Sequence, residues 1–136
     1  MATSADSASG SGLSGTVLCI EDNPVNMQLI EAALALYPGV RLLKAATGRE
    51  GIRLARAQQP DLVILDMHLP DISGLDVVRE LNEEIAGGRL LVTLLTADSL
   101  SMDIVKAMSL GASDYWLKPL ASDKLEAGLR RALARR

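Results

Sequence analysis

The run Leu62-Val63-Ile64-Leu65-Asp66 decides how this chain folds. Its four consecutive apolar residues lack the polar alternation of a half-exposed strand, so they predict a short strand buried on both faces, ending on a carboxylate. Further strand candidates, mostly continuous apolar runs, occur at Val17 to Ile20, Val40 to Ala45, Leu90 to Leu95 and Tyr115 to Leu117, with Arg41 and Lys44 interrupting the second. Strands buried on both faces belong to parallel sheets.

Between these runs lie segments of helical period. In the first, Val25, Leu29, Ala33 and Leu36 recur at helical spacing, with Pro24 in the opening turn and Pro38-Gly39 closing the segment. Thr47 and Glu50 have capping-box spacing ahead of Ile52, Leu54 and Ala55. Ser73 is placed to cap a third helix bearing Val77, Val78 and Leu81, which Gly87-Gly88 ends. Leu100, Ile104 and Met108 mark a fourth helix, and Leu125, Leu129 and Leu133 a fifth. Five strand–helix units predict an α/β domain with helices on both faces of a parallel sheet. If it is doubly wound, its ligand site lies outside the carboxyl ends of the strands, at a topological switch point.

With 136 residues, 49% of them hydrophobic, the chain can bury one ordinary core. The single cysteine, Cys19, lies in the first apolar run and reads as a buried, inert thiol, so a cytoplasmic setting is expected. No apolar run approaches the roughly 20 residues that span a bilayer, and no membrane insertion is expected. A net charge of -3 argues against direct nucleic-acid binding. Arg130, Arg131, Arg135 and Arg136 crowd the C-terminus, where cations complement the dipole of the last helix. Residues 1–15, almost entirely Ser, Gly, Ala, Thr and Asp, read as a flexible tail ahead of a domain over 16–136. Gly10, Gly12 and Gly15 have the spacing G-x-G-x-x-G, but they precede the first strand instead of following one, which excludes a dinucleotide-binding turn.

The chemistry-bearing residues fall at one edge of the predicted sheet. The first strand runs into Glu21-Asp22, the third into Asp66, the fourth into Thr96 and the fifth into Lys118. Taken singly, an acid after a strand is more often a cap or turn residue, Thr96 a helix cap and Lys118 a solvated cation. Together they suggest a site. Three converging carboxylates repel one another unless a cation lies between them, and Mg²⁺ suits an all-oxygen pocket. Asp22 and Asp66 are then direct ligands, Glu21 acts through water, and the His68 backbone carbonyl adds a ligand. Asp66 is the candidate nucleophile for phosphoryl transfer, with the Lys118 ammonium and the Thr96 hydroxyl placed to neutralise phosphoryl oxygens.

Over about residues 16–136 the sequence resembles the receiver domain of two-component response regulators. Val17-Leu18-Cys19-Ile20-Glu21-Asp22-Asn23 resembles the family's acidic pocket, and Asp66-Met67-His68-Leu69-Pro70 followed by Gly74 its phosphoacceptor loop; Leu95-Thr96-Ala97 and Lys118-Pro119 complete the set. The intervals from Asp22 to Asp66, Thr96 and Lys118, 44, 30 and 22 residues in turn, also agree with the family. The resemblance implies a flavodoxin-like strand order of 2-1-3-4-5 and Mg²⁺-dependent transfer to Asp66 from the phosphohistidine of a sensor histidine kinase or histidine phosphotransfer protein. It implies that the domain is no enzyme in its own right, although it assists its own phosphorylation and dephosphorylation.

The resemblance also makes Thr96 and Tyr115 the switch pair. Phosphorylation then draws the hydroxyl inward and turns the ring, altering the surface of the fourth helix, fifth strand and fifth helix, which meets a downstream protein or forms a homodimer. Glu21 departs from the Asp of many relatives, and Trp116 is bulky at a position often aliphatic. His68 and Asp98 fall where the family tunes water access to the acyl phosphate. Two rival readings remain at this stage: a receiver-like interaction module working without phosphorylation, and a haloacid-dehalogenase-like phosphatase. Against the latter stand His68, where that class has a second acid, and the missing length for a cap domain.

Overall fold

A computed structural model describes residues 12–97 and 101–134. Its strands are β1 (Gly15–Ile20), β2 (Val40–Ala45), β3 (Leu62–Asp66), β4 (Leu91–Thr96) and β5 (Asp114–Leu117). The helices among these residues are α1 (Pro24–Leu34), α2 (Gly48–Gln58), α3 (Gly74–Glu80), α4 (Asn82–Ala86), α5 (Met102–Ser109) and α6 (Ser122–Ala134). All four strand pairings are parallel, in the order β2-β1-β3-β4-β5 expected from the resemblance.

Strand alternation divides the core into two layers. Leu18 and Ile20 of β1, Val63 and Leu65 of β3, and Val92 and Leu94 of β4 pack with α2, α3 and α5. Cys19, Leu62, Ile64, Leu95 and Trp116 point the other way, against Ile30 and Leu34 of α1 and Leu125, Leu129 and Leu133 of α6. The chain steps from β1 outward to β2, then crosses to β3 on the other side of β1. That reversal leaves a crevice at the carboxyl ends of β1 and β3, where a doubly wound sheet binds its ligand.

The structure alters four of the sequence expectations. β1 begins at Gly15, which pairs with Val40, and Leu13 packs partly buried against the α1/α6 layer, so ordered structure begins ahead of residue 16. Residues 1–11, with Gly10, lie outside the described residues, as do Asp98, Leu100, Arg135 and Arg136.

The second change concerns α1. Its buried face is Ile30 and Leu34 with Met27 and Tyr37, whereas Val25, Leu29 and Leu36 are 64%, 51% and 66% exposed. The helix is apolar nearly all round, so two stripes satisfy the same period and periodicity alone selects the wrong one.

Third, the single helix expected from Ser73 to Gly87 is two, broken at Leu81. Leu81 is fully buried at φ -92°, ψ 12°, and beside it Arg56 Nη2 donates to the carbonyl of Glu80 at 2.8 Å.

Fourth, the capping box at Thr47 does not close. Thr47 Oγ1 accepts from Glu50 N at 3.1 Å, but Glu50 Oε1 turns to Ala46 N at 3.4 Å. A complete box forms instead at Ser73, with Asp76 as its reciprocal partner.

Trp116 is a core residue, 3% exposed, lying against α6 at Gly128. A Cβ at Gly128 would stand 2.5 Å from Trp116 Cζ2, so the helix approaches the ring only because that position carries no side chain. No helix among the described residues is long and apolar enough to cross a membrane.

Candidate functional site

Strand register assembles the site. Ile20 is level with Ala45 and Leu65, so the next residues out, Glu21 and Asp66, emerge side by side from adjacent strands. Asp66 is level with Leu95 and Thr96 with Leu117, which sets Thr96 and Lys118 at successive steps along the same edge. The amide of Lys118 donates to the Thr96 carbonyl at 2.8 Å, and Pro119 follows through a cis peptide bond.

Four predicted site residues meet here. One carboxylate oxygen each from Glu21, Asp22 and Asp66 lie within 4.8 Å of one another. Lys118 Nζ stands 3.0 Å from Glu21 Oε1 and 3.3 Å from Asp66 Oδ1. Asp66 Oδ1 also accepts from His68 N at 3.1 Å, and Glu21 Oε2 accepts from Asn23 N at 3.0 Å. Asn23 caps α1, its side chain accepting from Val25 N and Asn26 N, so the turn that carries both acids is fixed at its far end. Glu21 and Asp66 are buried, Asp22 is exposed, and the Lys118 side chain is 19% exposed. The pocket is thus walled on the sheet side and open on the Asp22 side.

Burial pushes the Glu21 carboxyl above its ordinary range, and the neighbouring Asp66 charge adds to this, against the lowering effect of the Asn23 amide and Lys118. Burial pulls the Lys118 ammonium down, but the two carboxylates outweigh it and the net shift is upward. Cys19, just below the site, is a free buried thiol raised far above its usual value, first by desolvation and then by Glu21 and Asp66. It is unreactive, as its place in the strand predicts.

The donor set suits a hard divalent cation. All side-chain ligand atoms are carboxylate oxygens, and Glu21 Oε1 is buried with no hydrogen-bond partner beyond its ion pair with Lys118 at 3.0 Å. A buried acceptor left over beside two more carboxylates fits Mg²⁺ with its retained waters.

Thr96 is 1% exposed at the end of β4 and, with Met67 and His68, lines a cleft of about 310 Å³. His68 itself is exposed. Tyr115, three residues before Lys118, is half-buried and packs against the layer that holds α5. Sequence reasoning missed Asp71. Its Oδ1 accepts from Gly48 N at 2.8 Å and its Oδ2 from Arg49 N at 3.0 Å, tying the loop after Asp66 to the start of α2. The signal available was an acid in a loop whose partner helix opens with unpaired amides, which sequence distance conceals.

The profile of the response regulator receiver domain matches residues 17–130. This chain belongs to that family. The receiver domain is 40% identical over 120 residues to the probable transcriptional regulatory protein TcrX of Mycobacterium tuberculosis, covering 88% of this chain and 50% of that one. It is 30% identical over 118 residues to PilH of Pseudomonas aeruginosa, covering 87% and 97%. The chain spans about half the length of TcrX and of AfsQ1 from Streptomyces coelicolor. Among solved structures, it matches the receiver domain of the sensor histidine kinase PA1611 from Pseudomonas aeruginosa, which holds a magnesium ion in its active site cleft. That match has a TM-score of 0.78 and 33% identity, covering 89% of this chain and 98% of the other. The role of the receiver domain is accordingly in two-component signalling.

Proposed function

We propose that this receiver domain takes a phosphoryl group onto Asp66 from a phosphohistidine and changes a partner-binding surface in response. The observation that carries the reading is Asp66 itself, a buried carboxylate at the switch point, paired with Lys118 and set against two further acids. The Asp66 carboxylate attacks phosphorus while the P–N bond breaks, and its electron pair returns to the donor imidazole. Glu21, Asp22, Asp66 and the His68 carbonyl would hold Mg²⁺, which when bound supplies positive charge to the phosphoryl oxygens. Lys118 holds Asp66 in place and presents its ammonium to the incoming group, and Thr96 is placed to donate to another phosphoryl oxygen. Hydrolysis by water later restores the carboxylate. In the same reading Thr96 and Tyr115 carry the signal to the face of α5, β5 and α6, where a downstream protein or a second copy binds. The setting is cytoplasmic, in keeping with the buried free thiol of Cys19.

The exposed stripe of α1 fits the donor. Val25, Leu29 and Ala32 lie along it, Leu36 is exposed just past the end of the helix, and Leu29 and Lys118 line the same shallow depression beside the pocket. A helix that presents phosphohistidine to Asp66 can cover this stripe. Leu29→Glu is expected to slow transfer from a phosphorylated histidine kinase by about tenfold, the loss of roughly 1.4 kcal/mol of docking energy. Transfer from phosphoramidate should stay within twofold of wild type. Equal losses with both donors would contradict docking at this face.

The Glu21 shift predicts a pH dependence. Its folded-state value is raised, so its stability contribution is fully present below the ordinary carboxylate value and is lost as pH rises through the folded one. Mg²⁺ competes with that proton. The increase in melting temperature produced by Mg²⁺ should therefore be largest near neutral pH and shrink steadily towards pH 4.5, as read by thermal melts with and without the ion. An increment that does not change with pH would contradict a Glu21 role at the metal.

A further inference from the structure

The loop from Met67 to Ser73 follows Asp66 directly and carries His68, whose carbonyl the proposed function makes a metal ligand. Near Asp66 it is held by three bonds: Met67 N donates to the Leu95 carbonyl of β4, Gly74 N to the Met67 carbonyl, and His68 N to Asp66. Its far end reaches a different element. Both oxygens of Asp71 are spent on the first two amides of α2, Gly48 and Arg49, donors with no partner inside their own helix. Thr47 takes a third amide of that turn, Glu50 N.

A second, independent contact stands beside the first. A Cβ at Gly48 would lie 2.5 Å from Ile72 Cγ1 and 3.1 Å from Val77 Cγ2, so Ile72 sits directly on the backbone of α2. The β2–α2 turn is in turn fastened to the acidic turn, since the amide of Glu21 donates to the carbonyl of Ala45 at 2.9 Å. Three loops are thus locked together, although the middle one contributes no side chain to the site.

From this arrangement we infer that Asp71 is a positioning residue: by clamping its loop to the N-terminus of α2, it fixes the His68 carbonyl against the carboxylates and so sets the affinity of the pocket for Mg²⁺. The inference rests on the phosphoacceptor reading above. Anchoring outside the ligand set governs metal affinity because an unanchored ligand must be ordered again at each binding event. The amides of Arg49 and Gly48 also hold the Asp71 carboxyl below its ordinary range.

The test is titration calorimetry of Mg²⁺ into wild type, Asp71→Ala, Asp71→Asn, Gly48→Ala and Thr47→Ala, with a thermal melt of each. Asp71→Ala is expected to raise the Mg²⁺ dissociation constant about tenfold. Asp71→Asn, which keeps one acceptor oxygen, should fall between Asp71→Ala and wild type. Gly48→Ala, which pushes Ile72 away without changing any charge, should weaken binding at least threefold. Thr47→Ala removes a cap from the same helix without freeing the loop, so it should lower the melting temperature and leave Mg²⁺ affinity within twofold.

Three results would overturn the inference. Asp71→Ala binding Mg²⁺ as wild type does removes it outright. Asp71→Asn as weak as Asp71→Ala, with Gly48→Ala at wild-type affinity, makes the effect one of bare charge. Thr47→Ala as weak as Asp71→Ala makes it a general loss of α2. If wild type itself binds no Mg²⁺, the phosphoacceptor reading fails and this inference falls with it.

Discussion

Asp66→Asn will gain no phosphoryl group under conditions in which the wild-type domain, given Mg²⁺ and phosphoramidate, gains one. In the proposed reading the carboxylate is both the nucleophile and one of the metal's ligands; the Asn amide is no nucleophile and offers the metal only a neutral carbonyl oxygen. Neighbouring groups cannot replace it. Glu21 is buried and directed at Lys118 and Asn23, and Asp22 is exposed at the open side of the pocket. The substitution should also raise the melting temperature of the metal-free domain, because it removes one of two buried carboxylates that share a single lysine. Loss of the adduct together with a gain in stability separates a chemical defect from a folding one. Intact mass and a melt of the same sample read both. A phosphatase would behave differently, turning over phosphomonoesters steadily with no adduct.

The largest effect on stability is expected at Trp116. Truncation to Ala removes a buried indole that bridges β5 and α6, at a cost of about 3–5 kcal/mol. That is a large part of the roughly 5–15 kcal/mol that holds an ordinary domain together. Gly128→Ala tests the fit from the other side. Alanine gains about 1 kcal/mol of helix propensity over glycine, while overpacking costs roughly 1–3 kcal/mol. The colliding atoms belong to a rigid ring whose Nε1 donates to Asp114 Oδ2 at 3.2 Å, so it cannot yield and overpacking wins. In a Trp116→Leu background the collision is gone, and Gly128→Ala should become neutral or stabilising. Denaturant unfolding of the four proteins gives the coupling, and additivity would show that ring and glycine are independent.

Much of the fold was legible because most strands hold a short apolar run, β2 with its Arg41 and Lys44 being the exception, which admits few alternatives once helical segments separate the runs. The site was legible for a related reason: a residue following a buried strand must emerge at the sheet edge, so Glu21, Asp66, Thr96 and Lys118 were placed by counting. Where the sequence misled, two solutions satisfied one pattern. Helix α1 offers two apolar stripes, and only packing against Leu125 and Leu129 chooses Ile30 and Leu34. The break at Leu81 lies beside a bond from Arg56 to Glu80, and the anchor at Asp71 rests on the amides of Gly48 and Arg49; these are tertiary hydrogen bonds across more than 20 positions. Trp116 was ambiguous until its partner was known, since a glycine in the middle of a helix does not announce what fills the space above it.

The most direct test of the account is to locate the phosphoryl group. After incubation with Mg²⁺ and phosphoramidate, borohydride reduction converts an aspartyl phosphate to homoserine, and peptide mass mapping shows where. The account predicts conversion at Asp66 alone, dependent on Mg²⁺. Conversion at Asp22 or another acid, a borohydride-resistant phosphoryl group on His68, or no adduct despite bound Mg²⁺ would contradict it.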